Sequence, residues 1–399
     1  MQFPARYEDL PEYAFPRLRR LLSDVPPGGP ELAMSLGEPQ HAVPDFVGPV
    51  MLEHSATLSK YPPNDSIPSL RQAISDWLAR RYGVGEAYRD PDTQIFPLNG
   101  TREGLFGTCL ALSAETKNGH RPAVLLPNPF YQCYTVAAIT AGAEPVYLPC
   151  WAETGHLPDF ASLPKDLLDR TTVAYICSPA NPQGTCADEA YWTTLLTLAE
   201  QHDFKIFADE CYSEIYRDAP PVGALEVASR IGADPERLVC FHSLSKRSNL
   251  AGLRSGFAVT GPENRKRMLQ LRSYVGTPLP IPAQHAAAAC WSDEAHVVEN
   301  RALYQEKYRV ADDVLGNARG YLAPEAGFFL WLDVEDGEAA TVKLWREAGV
   351  RSLPGSYLSR PVPEELGGGD PGARYLRLAM VAPADDVRRG LEAVRDILL

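Results

Sequence analysis

Short apolar runs recur through the first two thirds of the chain, and polar or turn-forming residues follow most of them. The runs cover residues 94–98, 123–126, 143–148, 173–177, 205–209, 238–242 and 256–260. Helix-length stretches lie between several of them, including 70–78 and 189–202. This alternation is typical of a doubly wound, mostly parallel α/β sheet, which binds ligands beyond the carboxyl ends of its strands. We therefore expect a functional site built from the residues that follow the strands.

The pattern changes towards both ends of the chain. The sequence predicts a short helix over 15–22 and a strand over 32–36. Beyond residue 282 it predicts a long helical region, a strand, a second helix, another strand and a last helix, the first four at about 283–315, 327–333, 341–348 and 374–380. These elements predict a smaller α+β domain. We expect three parts, namely an N-terminal arm with part of the small domain, a large domain and a C-terminal small domain, at 1–45, 46–285 and 286–399.

Composition excludes several classes of partner. The formal net charge of −13 over 399 residues argues against nucleic acid and anionic membranes, because both require basic surfaces. No apolar run approaches the roughly 18 residues that span a bilayer, and the N-terminus shows no signal peptide. The eight cysteines form neither close pairs nor a zinc-like cluster with histidine, so we expect reduced thiols and no metal site. These features predict a cytoplasmic protein.

Lys246 is the strongest candidate for a reactive side chain. It lies in a hydroxyl-rich turn with Ser243 and Ser245, and Arg254 follows eight residues later. An amine attacks a carbonyl only when neutral, and burial or a nearby cation favours that form. Hydroxyl and guanidinium groups also suit a phosphate. A lysine nucleophile beside a phosphate site indicates pyridoxal phosphate, whereas the alternative is an ordinary solvated Lys–Arg pair.

Three other positions point to ligand binding. Gly100, Thr101 and Arg102 open a predicted helix after a strand, an arrangement in which backbone amides bind anions, and Thr101 is expected to cap this helix. Asp209 ends an apolar strand, so its carboxylate is expected to be buried and to need a partner. Arg377 alternates with leucines on a strand and must point away from them, into a cleft or into solvent.

With these motifs in place, the chain resembles the class I and II aminotransferases of the aspartate aminotransferase fold. The resemblance rests on five segments in the family's order: Gly37-Glu38-Pro39, Asn99-Gly100-Thr101-Arg102-Glu103, Asn181-Pro182-Gln183-Gly184, Ser243-Leu244-Ser245-Lys246 and Ala251-Gly252-Leu253-Arg254-Ser255-Gly256-Phe257. They span nearly the whole chain. Two positions depart from the family pattern, because Gln183 is an uncommon residue in its turn and Ser66 stands where a glycine is usual after Tyr61.

The resemblance implies roles for individual residues, with pyridoxal 5′-phosphate as cofactor. It implies Lys246, Asp209 and Tyr212 as catalytic residues. The implied cofactor-binding residues are Tyr61, Gly100, Thr101, Arg102, Tyr131, Asn181, Asp209, Tyr212, Ser243, Lys246 and Arg254. The implied substrate-binding residues are Gly37, Asn181 and Arg377, of which Gly37 and Arg377 would hold the substrate carboxylate and Asn181 would also bond the phenolic oxygen of the cofactor. In relatives the residue at the Tyr61 position reaches the partner's cofactor phosphate, which implies a homodimer with a shared site.

The resemblance also implies a reaction, in which an amino group moves between an amino acid and a 2-oxo acid. Within the family, the motifs are most similar to those of enzymes acting on N-succinyldiaminopimelate in lysine biosynthesis, with glutamate and 2-oxoglutarate as the couple. Alternatives on the same fold are an aminotransferase for aspartate or another amino acid and a β-lyase. A catalytically silent binding protein is a further alternative, which the intact Lys246, Asp209 and Arg377 disfavour.

Overall fold

The computed structural model describes residues 4–8, 10–276 and 278–399. The helices are α1 Ala14–Leu22, α2 Val47–Glu53, α3 Pro68–Tyr82, α4 Thr101–Leu112, α5 Gln132–Thr140, α6 Lys165–Arg170, α7 Glu189–His202, α8 Ala224–Ile231, α9 Leu244–Arg247, α10 Pro262–Val275, α11 Ile281–Ser292, α12 Ala295–Leu315, α13 Gly337–Ala348 and α14 Ala384–Leu398. The strands are β1 Leu32–Ala33, β2 Ile95–Leu98, β3 Ala123–Asn128, β4 Glu144–Pro149, β5 Thr171–Cys177, β6 Lys205–Asp209, β7 Leu238–Ser243, β8 Gly256–Thr260, β9 Phe329–Asp333, β10 Val350–Arg351, β11 Leu353–Pro354 and β12 Tyr375–Ala379.

The large sheet has seven strands in the order β2-β8-β7-β6-β5-β3-β4. Strand β8 runs antiparallel to both of its neighbours, and every other neighbouring pair is parallel. The carboxyl ends of β5, β6 and β7 therefore lie at one edge of the sheet. The register places Cys177 beside Asp209, and Ser243 beside Gly256 at the start of β8. The predicted mostly parallel α/β sheet is confirmed.

Helices cover both faces of this sheet, because its strands are apolar on both sides. On β6, Ile206 and Ala208 pack in one core with α3, α7, α8 and α11. The residue between them, Phe207, packs in a second core with α4, α5 and α10. Successive side chains of a strand point to opposite faces, so one continuous apolar run supplies two cores. Burial on both faces leaves the sheet edge as the place for polar side chains.

A second unit is built around the antiparallel sheet β11-β12-β9. Its core joins apolar residues of these strands to α12, α13 and α14, and it includes Leu330, Leu344, Leu378 and Leu391. Strand β1 near the N-terminus pairs with β10 in a separate two-stranded sheet. The boundaries at residues 45 and 285 stay predictions. No helix in the described ranges is both long enough and apolar enough to cross a membrane.

Two sequence predictions about elements were wrong. The long helical region expected over 283–315 is not continuous but consists of two helices, α11 and α12. Asp293 between them is extended, and its carboxylate accepts a bond from the backbone amide of His296 at 3.0 Å, which starts α12. The strand expected over 32–36 ends at Ala33, because the carbonyl of Met34 accepts from the amide of Ala379 instead of continuing the pairing with β10.

Candidate active site

A cleft of about 1140 Å³ opens where the carboxyl edge of the large sheet faces the second unit. Most of the side chains predicted from the sequence line it, namely Gly37, Thr101, Arg102, Tyr131, Asn181, Asp209, Tyr212, Ser243, Lys246, Arg254 and Arg377. Gly100 lies directly before Thr101 and against Arg254. The structure therefore brings together all predicted site residues except Tyr61.

Lys246 lies on the short helix α9, immediately after β7. Ser243 caps this helix, because its hydroxyl accepts from the backbone amide of Ser245 at 3.1 Å. The Lys246 ammonium donates to the carbonyl of Gly37 and lies 5.2 Å from the ring centroid of Phe328. Burial lowers the pKa of Lys246 to about 8, and Arg377 and Arg254 add to the effect. A substantial fraction of the amine is therefore neutral near physiological pH, as a nucleophile or base requires.

Asp209 is a buried carboxylate at the end of β6. Its Oδ2 accepts from the hydroxyl of Tyr134 at 2.7 Å, and its Oδ1 accepts from the amide of Cys211 at 3.3 Å. Burial nevertheless raises the pKa of Asp209. A buried carboxylate with a raised pKa is stabilised when a cationic N–H donor of a ligand pairs with it.

The start of α4 forms the anion-binding end of the cleft. Gly100 is the N-cap residue, with φ of +82°, and a Cβ there would lie 2.1 Å from the Arg254 guanidinium. The expectation that Thr101 caps this helix was wrong: Thr101 is the first helical residue, and its hydroxyl accepts from the thiol of Cys211 at 3.2 Å. The free amides of the first turn and the guanidinium of Arg254 face the same space, which suits an anion.

The Arg102 side chain extends towards Tyr131 and not towards Arg254 at the anion-binding end of the cleft. Its Nε donates to the hydroxyl of Tyr131, and its guanidinium lies 5.7 Å from that ring. The side chain is exposed and lines the cleft. Among the residues described, no carboxylate forms an ion pair with Arg102. The sequence assigned Arg102 to the cofactor, and its backbone amide remains available for that role, but its charge faces the cleft beside Tyr131.

Arg377 is a buried guanidinium on the opposite side of the cleft. It donates to the side-chain oxygen of Asn181 at 3.2 Å and to the carbonyl of Ser35 at 2.7 Å. Burial lowers the pKa of Arg377 to about 10. Within the described part of the chain, no carboxylate pairs with it and its Nε has no hydrogen-bond partner. A buried cation without a counter-ion is a ready site for a carboxylate.

Aromatic rings close the wall around Lys246. The Tyr212 ring packs edge-on against Phe328 and Phe329, with centroids 5.4 and 5.9 Å away. Phe329 also lies under Arg377 at 4.3 Å, and a Cβ on Gly37 would come within 2.5 Å of its ring. Glycine at position 37 is therefore required for the close approach of this segment. Burial raises the pKa of Tyr212 well above its ordinary value, so its hydroxyl stays protonated.

Tyr61 lies outside the cleft of its own chain and is 93% exposed. Ser66, five residues later, is buried with φ of +64°, the left-handed conformation that a glycine adopts freely. The Arg71 guanidinium holds this turn by donating to the carbonyls of Asp65 and Ser66 at 2.8 and 2.9 Å. Ser66 therefore adopts here a turn conformation that glycine forms freely.

Sequence reasoning missed several residues of the cleft. Tyr134, which donates to Asp209, follows Tyr131 by three positions on the same helix, and this spacing was an available signal. Phe328 and Phe329 surround Lys246 and Arg377, but an apolar strand gives no sign of such a role. Tyr13 from the N-terminal arm also lines the cleft, and nothing in its local sequence indicates this.

Comparison with known proteins agrees with this geometry. The family Aminotransferase class I and II matches residues 32–394. An aminotransferase from Neisseria meningitidis is 35% identical over the full length of both chains, with a TM-score of 0.93. LL-diaminopimelate aminotransferase of Dehalococcoides mccartyi is 28% identical over 98% of this chain and 97% of that protein. A probable N-succinyldiaminopimelate aminotransferase from Thermus thermophilus is 23% identical over 96% and 99% of the two chains, with a TM-score of 0.82. Fold, cleft and comparisons together place this chain among the class I and II aminotransferases.

Proposed function

We propose that the chain is a pyridoxal-phosphate-dependent aminotransferase that moves an amino group between N-succinyl-L,L-diaminopimelate and 2-oxoglutarate, as part of lysine biosynthesis. The observation that carries the proposal is the buried, unpaired Arg377 in the same cleft as Lys246, whose pKa is lowered to about 8. One group would bind an α-carboxylate while the other accepts a proton from the neighbouring carbon. That pairing is what amino-group transfer requires.

The residues present fit the proposed cofactor. The start of α4 with Arg254 and Ser243 offers donors for a phosphate. The Lys246 amine would hold the aldehyde carbon covalently, and the buried Asp209 carboxylate would pair with a ring N–H. When bound, pyridoxal phosphate supplies an electron-accepting ring that stabilises negative charge on the substrate Cα.

The chain's own residues would then perform the remaining steps. Arg377 and Asn181 bind the α-carboxylate and so fix which face of Cα is presented to Lys246. Once the amino group of the substrate has displaced it from the cofactor, the freed Lys246 amine would take the Cα proton as a general base. Tyr212 keeps its proton and can donate a hydrogen bond within the cleft. Asp209, braced by Tyr134, maintains the charge at the far end of the site.

Arg102 supports a substrate with a second carboxylate. Its guanidinium faces the cleft without an acidic partner in the described part of the chain, and Tyr131 holds it in place. Tyr13 from the arm lines the same cleft as Arg102, Tyr131 and Arg377. These groups give the cleft a cationic and hydroxyl-rich wall that suits a distal carboxylate. A guanidinium of this kind would be superfluous for a purely apolar amino acid.

A second candidate substrate is L,L-diaminopimelate itself. The Dehalococcoides mccartyi relative carries that activity in its name. In this chain the exposed Glu38 also lines the cleft, and its carboxylate would suit the distal ammonium that succinylation removes. We favour the succinylated substrate because the Arg102 guanidinium presents a further cation to the cleft, and the succinyl group adds a carboxylate in place of an ammonium.

The proposal includes a homodimer. Tyr61 is 93% exposed and lies apart from its own cleft, as expected for a side chain that reaches a partner's cofactor phosphate. Leu52, Leu58 and Tyr274 are also highly exposed, and a stable interface would bury such apolar surface. The expected result in solution is a dimer, and Tyr61→Phe should weaken cofactor retention without dissociating the dimer.

The direct test measures 2-oxoglutarate-dependent consumption of three amino donors: N-succinyl-L,L-diaminopimelate, L,L-diaminopimelate and aspartate. We expect kcat/KM to be highest for the succinylated donor by at least about tenfold. A higher value for the free amino acid would select the second candidate. Release of pyruvate or ammonia without 2-oxo acid would indicate a β-lyase and would contradict aminotransfer as the main reaction.

One variant, assayed with two amino donors, tests which residue contacts the distal carboxylate of the substrate. Arg102→Gln removes the charge but keeps a polar side chain that Tyr131 can contact, and we expect KM for N-succinyl-L,L-diaminopimelate to rise by about 10- to 100-fold. Alanine, which has no distal carboxylate, should be used equally poorly before and after the change. A loss that is the same for both donors would argue against Arg102 as the distal contact.

A further inference from the structure

Three polar side chains form a continuous series of hydrogen bonds that ends at the backbone of Lys246 and Arg247, which we call the lysine turn. The amine of Lys307 on α12 lies 2.7 Å from Nε2 of His41, and Nδ1 of His41 lies 2.7 Å from Oδ1 of Asn300. The amide nitrogen of Asn300 donates to the carbonyls of Lys246 and Arg247 at 3.3 and 3.2 Å. None of Lys307, His41 and Asn300 lines the cleft. We call these three residues the Lys307 relay.

The chemistry of the two ends fixes the direction of every hydrogen bond in the relay. Backbone carbonyls only accept, so Asn300 must present its NH₂ group to the lysine turn and its oxygen to His41. An amide oxygen only accepts, so Nδ1 of His41 must carry a proton and donate it. Nε2 then remains as the acceptor for the Lys307 amine. The relay is complete only when His41 is neutral and in this one tautomer.

The surroundings favour that neutral form. Burial lowers the pKa of His41, and the nearby Lys307 lowers it further, although the bond to Asn300 opposes the change. Asn249 donates to the same oxygen of Asn300 at 3.1 Å, which fixes the amide orientation a second time. On α12 the other charged group acting on Lys307 is Glu306, and the carbonyl of Val381 accepts from the Lys307 amine at 3.1 Å.

A stack of rings connects the same residues to the Lys246 side chain. The His41 ring lies 4.5 Å from Tyr304, and Tyr304 is stacked on Phe328 with centroids 5.6 Å apart. Phe328 in turn lies 5.2 Å from the Lys246 amine. Asn300 therefore contacts the backbone of Lys246, and the ring stack that begins at His41 ends with Phe328 against the Lys246 side chain.

Packing alone does not explain Lys307. The residue is 2% exposed, and in the described ranges no carboxylate forms an ion pair with it. Burying an amine in this way is costly, and burial lowers the pKa of Lys307 to about 8. A leucine or methionine would fill the space at a lower cost. The amine contributes an oriented donor to His41 that no apolar side chain can supply.

We propose that Lys307, His41 and Asn300 are positioning residues that hold the turn of Lys246 in its reactive geometry. The inference rests on the proposed function only in that Lys246 is taken as the reacting amine. The relay joins the second unit, the segment after Gly37 and the large sheet, so it fixes Lys246 relative to both the carboxylate contacts and the cofactor site. A small displacement of a catalytic group lowers the rate more than it lowers substrate affinity.

The test compares two substitutions of one residue. His41→Gln can donate to Asn300 and accept from Lys307, so it keeps the direction of the relay, whereas His41→Leu fills the space without a polar atom. We expect His41→Leu to lower kcat about tenfold with KM within about twofold, and His41→Gln to restore most of the loss. The matched control is His202→Leu, which removes a half-buried histidine paired with Asp169 at 2.7 Å, away from the cleft.

A second measurement uses the apoenzyme and needs no activity. The rate at which acetic anhydride acylates Lys246, followed by peptide mass spectrometry from about pH 6.5 to about pH 9.5, reports the pKa and accessibility of this amine. We expect the midpoint to move from its wild-type value in His41→Leu and to return in His41→Gln. His202→Leu should leave it unchanged.

The outcomes separate this inference from the proposed function. Unchanged kcat and an unchanged acylation midpoint in His41→Leu would overturn the relay, even if Lys246→Ala is inactive. Equal losses in His41→Leu and His41→Gln would also overturn it, because the hydrogen-bond direction would then be irrelevant. If Lys246→Ala keeps full aminotransferase activity, the proposed function fails first, whatever the His41 variants do.

Discussion

Two lysines of this chain, the half-buried Lys246 and the buried Lys307, have a similarly lowered pKa but lie in different surroundings. Burial lowers the pKa of both Lys246 and Lys307 to about 8. Lys246 lines a cleft of about 1140 Å³, together with Arg377 and the start of α4. Lys307 lies on α12 outside that cleft, between His41 and the carbonyl of Val381. A lowered pKa alone therefore does not identify a catalytic amine.

The two lysines differ in whether a ligand can reach the amine. Lys246 has groups around it that can bind the two ends of a ligand, whereas the amine of Lys307 is enclosed and bonded to His41 and to the carbonyl of Val381. The same desolvation that prepares one lysine for chemistry makes the other a fixed hydrogen-bond donor. Perturbed pKa values become evidence of a catalytic site only when an open space and complementary binding groups accompany them.

The largest effect that would sharpen this comparison comes from removing each amine. Lys246→Ala should lower kcat by at least about a thousandfold and abolish the visible absorbance of the bound cofactor. Lys307→Met should lower kcat by about three- to tenfold and keep that absorbance, since it only weakens a supporting contact. Steady-state kinetics and an absorbance spectrum measure both. Similar losses of kcat and of absorbance in the two variants would show that Lys246 and Lys307 do not differ in role.

Arg377 gives the next largest effect. Arg377→Gln removes the buried charge that no acid among the described residues neutralises, so KM for every amino donor should rise by roughly 100-fold. The rise should be the same for N-succinyl-L,L-diaminopimelate and for alanine, in contrast to Arg102→Gln. A rise confined to donors with a distal carboxylate would exchange the roles of the two arginines.

The two lysines should also affect the pH dependence of stability in the apoenzyme. Their folded pKa values of about 8 lie below the ordinary 10.5, so between those values the unfolded state binds more protons than the folded state. The contribution of each lysine to stability should therefore rise with pH in this window, by roughly 1 to 2 kcal/mol up to about pH 9.5, whereas the buried cysteines, whose pKa burial raises from 9.0, act with the opposite sign. Urea denaturation of the wild type and of Lys307→Met at about pH 7.5 and about pH 9.5 isolates the contribution of Lys307, which the variant should lack.

Glu210 acts with the opposite sign at lower pH and serves as an internal check. Burial raises its pKa to about 7 from 4.5, so between those values the folded state binds more protons than the unfolded state. Its contribution to stability should fall as pH rises through that window. Glu210→Gln should flatten the dependence of the free energy of unfolding on pH in this lower window and leave the lysine contribution above about pH 8 unchanged. A changed contribution above about pH 8 would show that the lysines are not its source.

The smallest effect comes from Ser66, far from both lysines. Ser66→Gly relieves a left-handed conformation and removes a buried hydroxyl that has no hydrogen-bond partner within the described residues. We expect a gain of up to about 1 kcal/mol in the free energy of unfolding, reduced by the greater freedom of glycine in the unfolded chain. Thermal denaturation measures it, and an unchanged acylation midpoint of Lys246 separates stability from positioning. A loss of stability would show that the serine is preferred at this turn.

The sequence predicted a large part of the fold and the site because the relevant signals are local. Apolar runs followed by turns predicted all seven strands of the large sheet, and the turn around Lys246 combined hydroxyl, amine and guanidinium groups within a few positions. Asp209 and Arg377 were recognisable because a charged residue within an apolar strand needs a partner or a cleft. Each of these inferences depends on near neighbours in the chain.

Other features depend on contacts that no local pattern encodes. The direction of the Arg102 side chain towards Tyr131, the bond from Tyr134 to Asp209 and the N-cap at Gly100 depend on how α4, α5 and the sheet pack together. The break between α11 and α12 depended on the competition between one aspartate side chain and the helix backbone, which helical periodicity does not reveal.

The sequence by itself determined which residues are candidates for the proposed chemistry, because amine, carboxylate and guanidinium groups are fixed by residue type and their turns are fixed by short-range patterns. Only the tertiary structure decided that Lys246 faces a cleft and that Lys307 is enclosed. Asn300 and Lys307 lie on α12 and His41 lies far away in the sequence, so the three become a relay only after the chain has folded. Desolvation and hydrogen-bond direction arise from three-dimensional packing, so the roles that depend on them could not be predicted from the sequence alone.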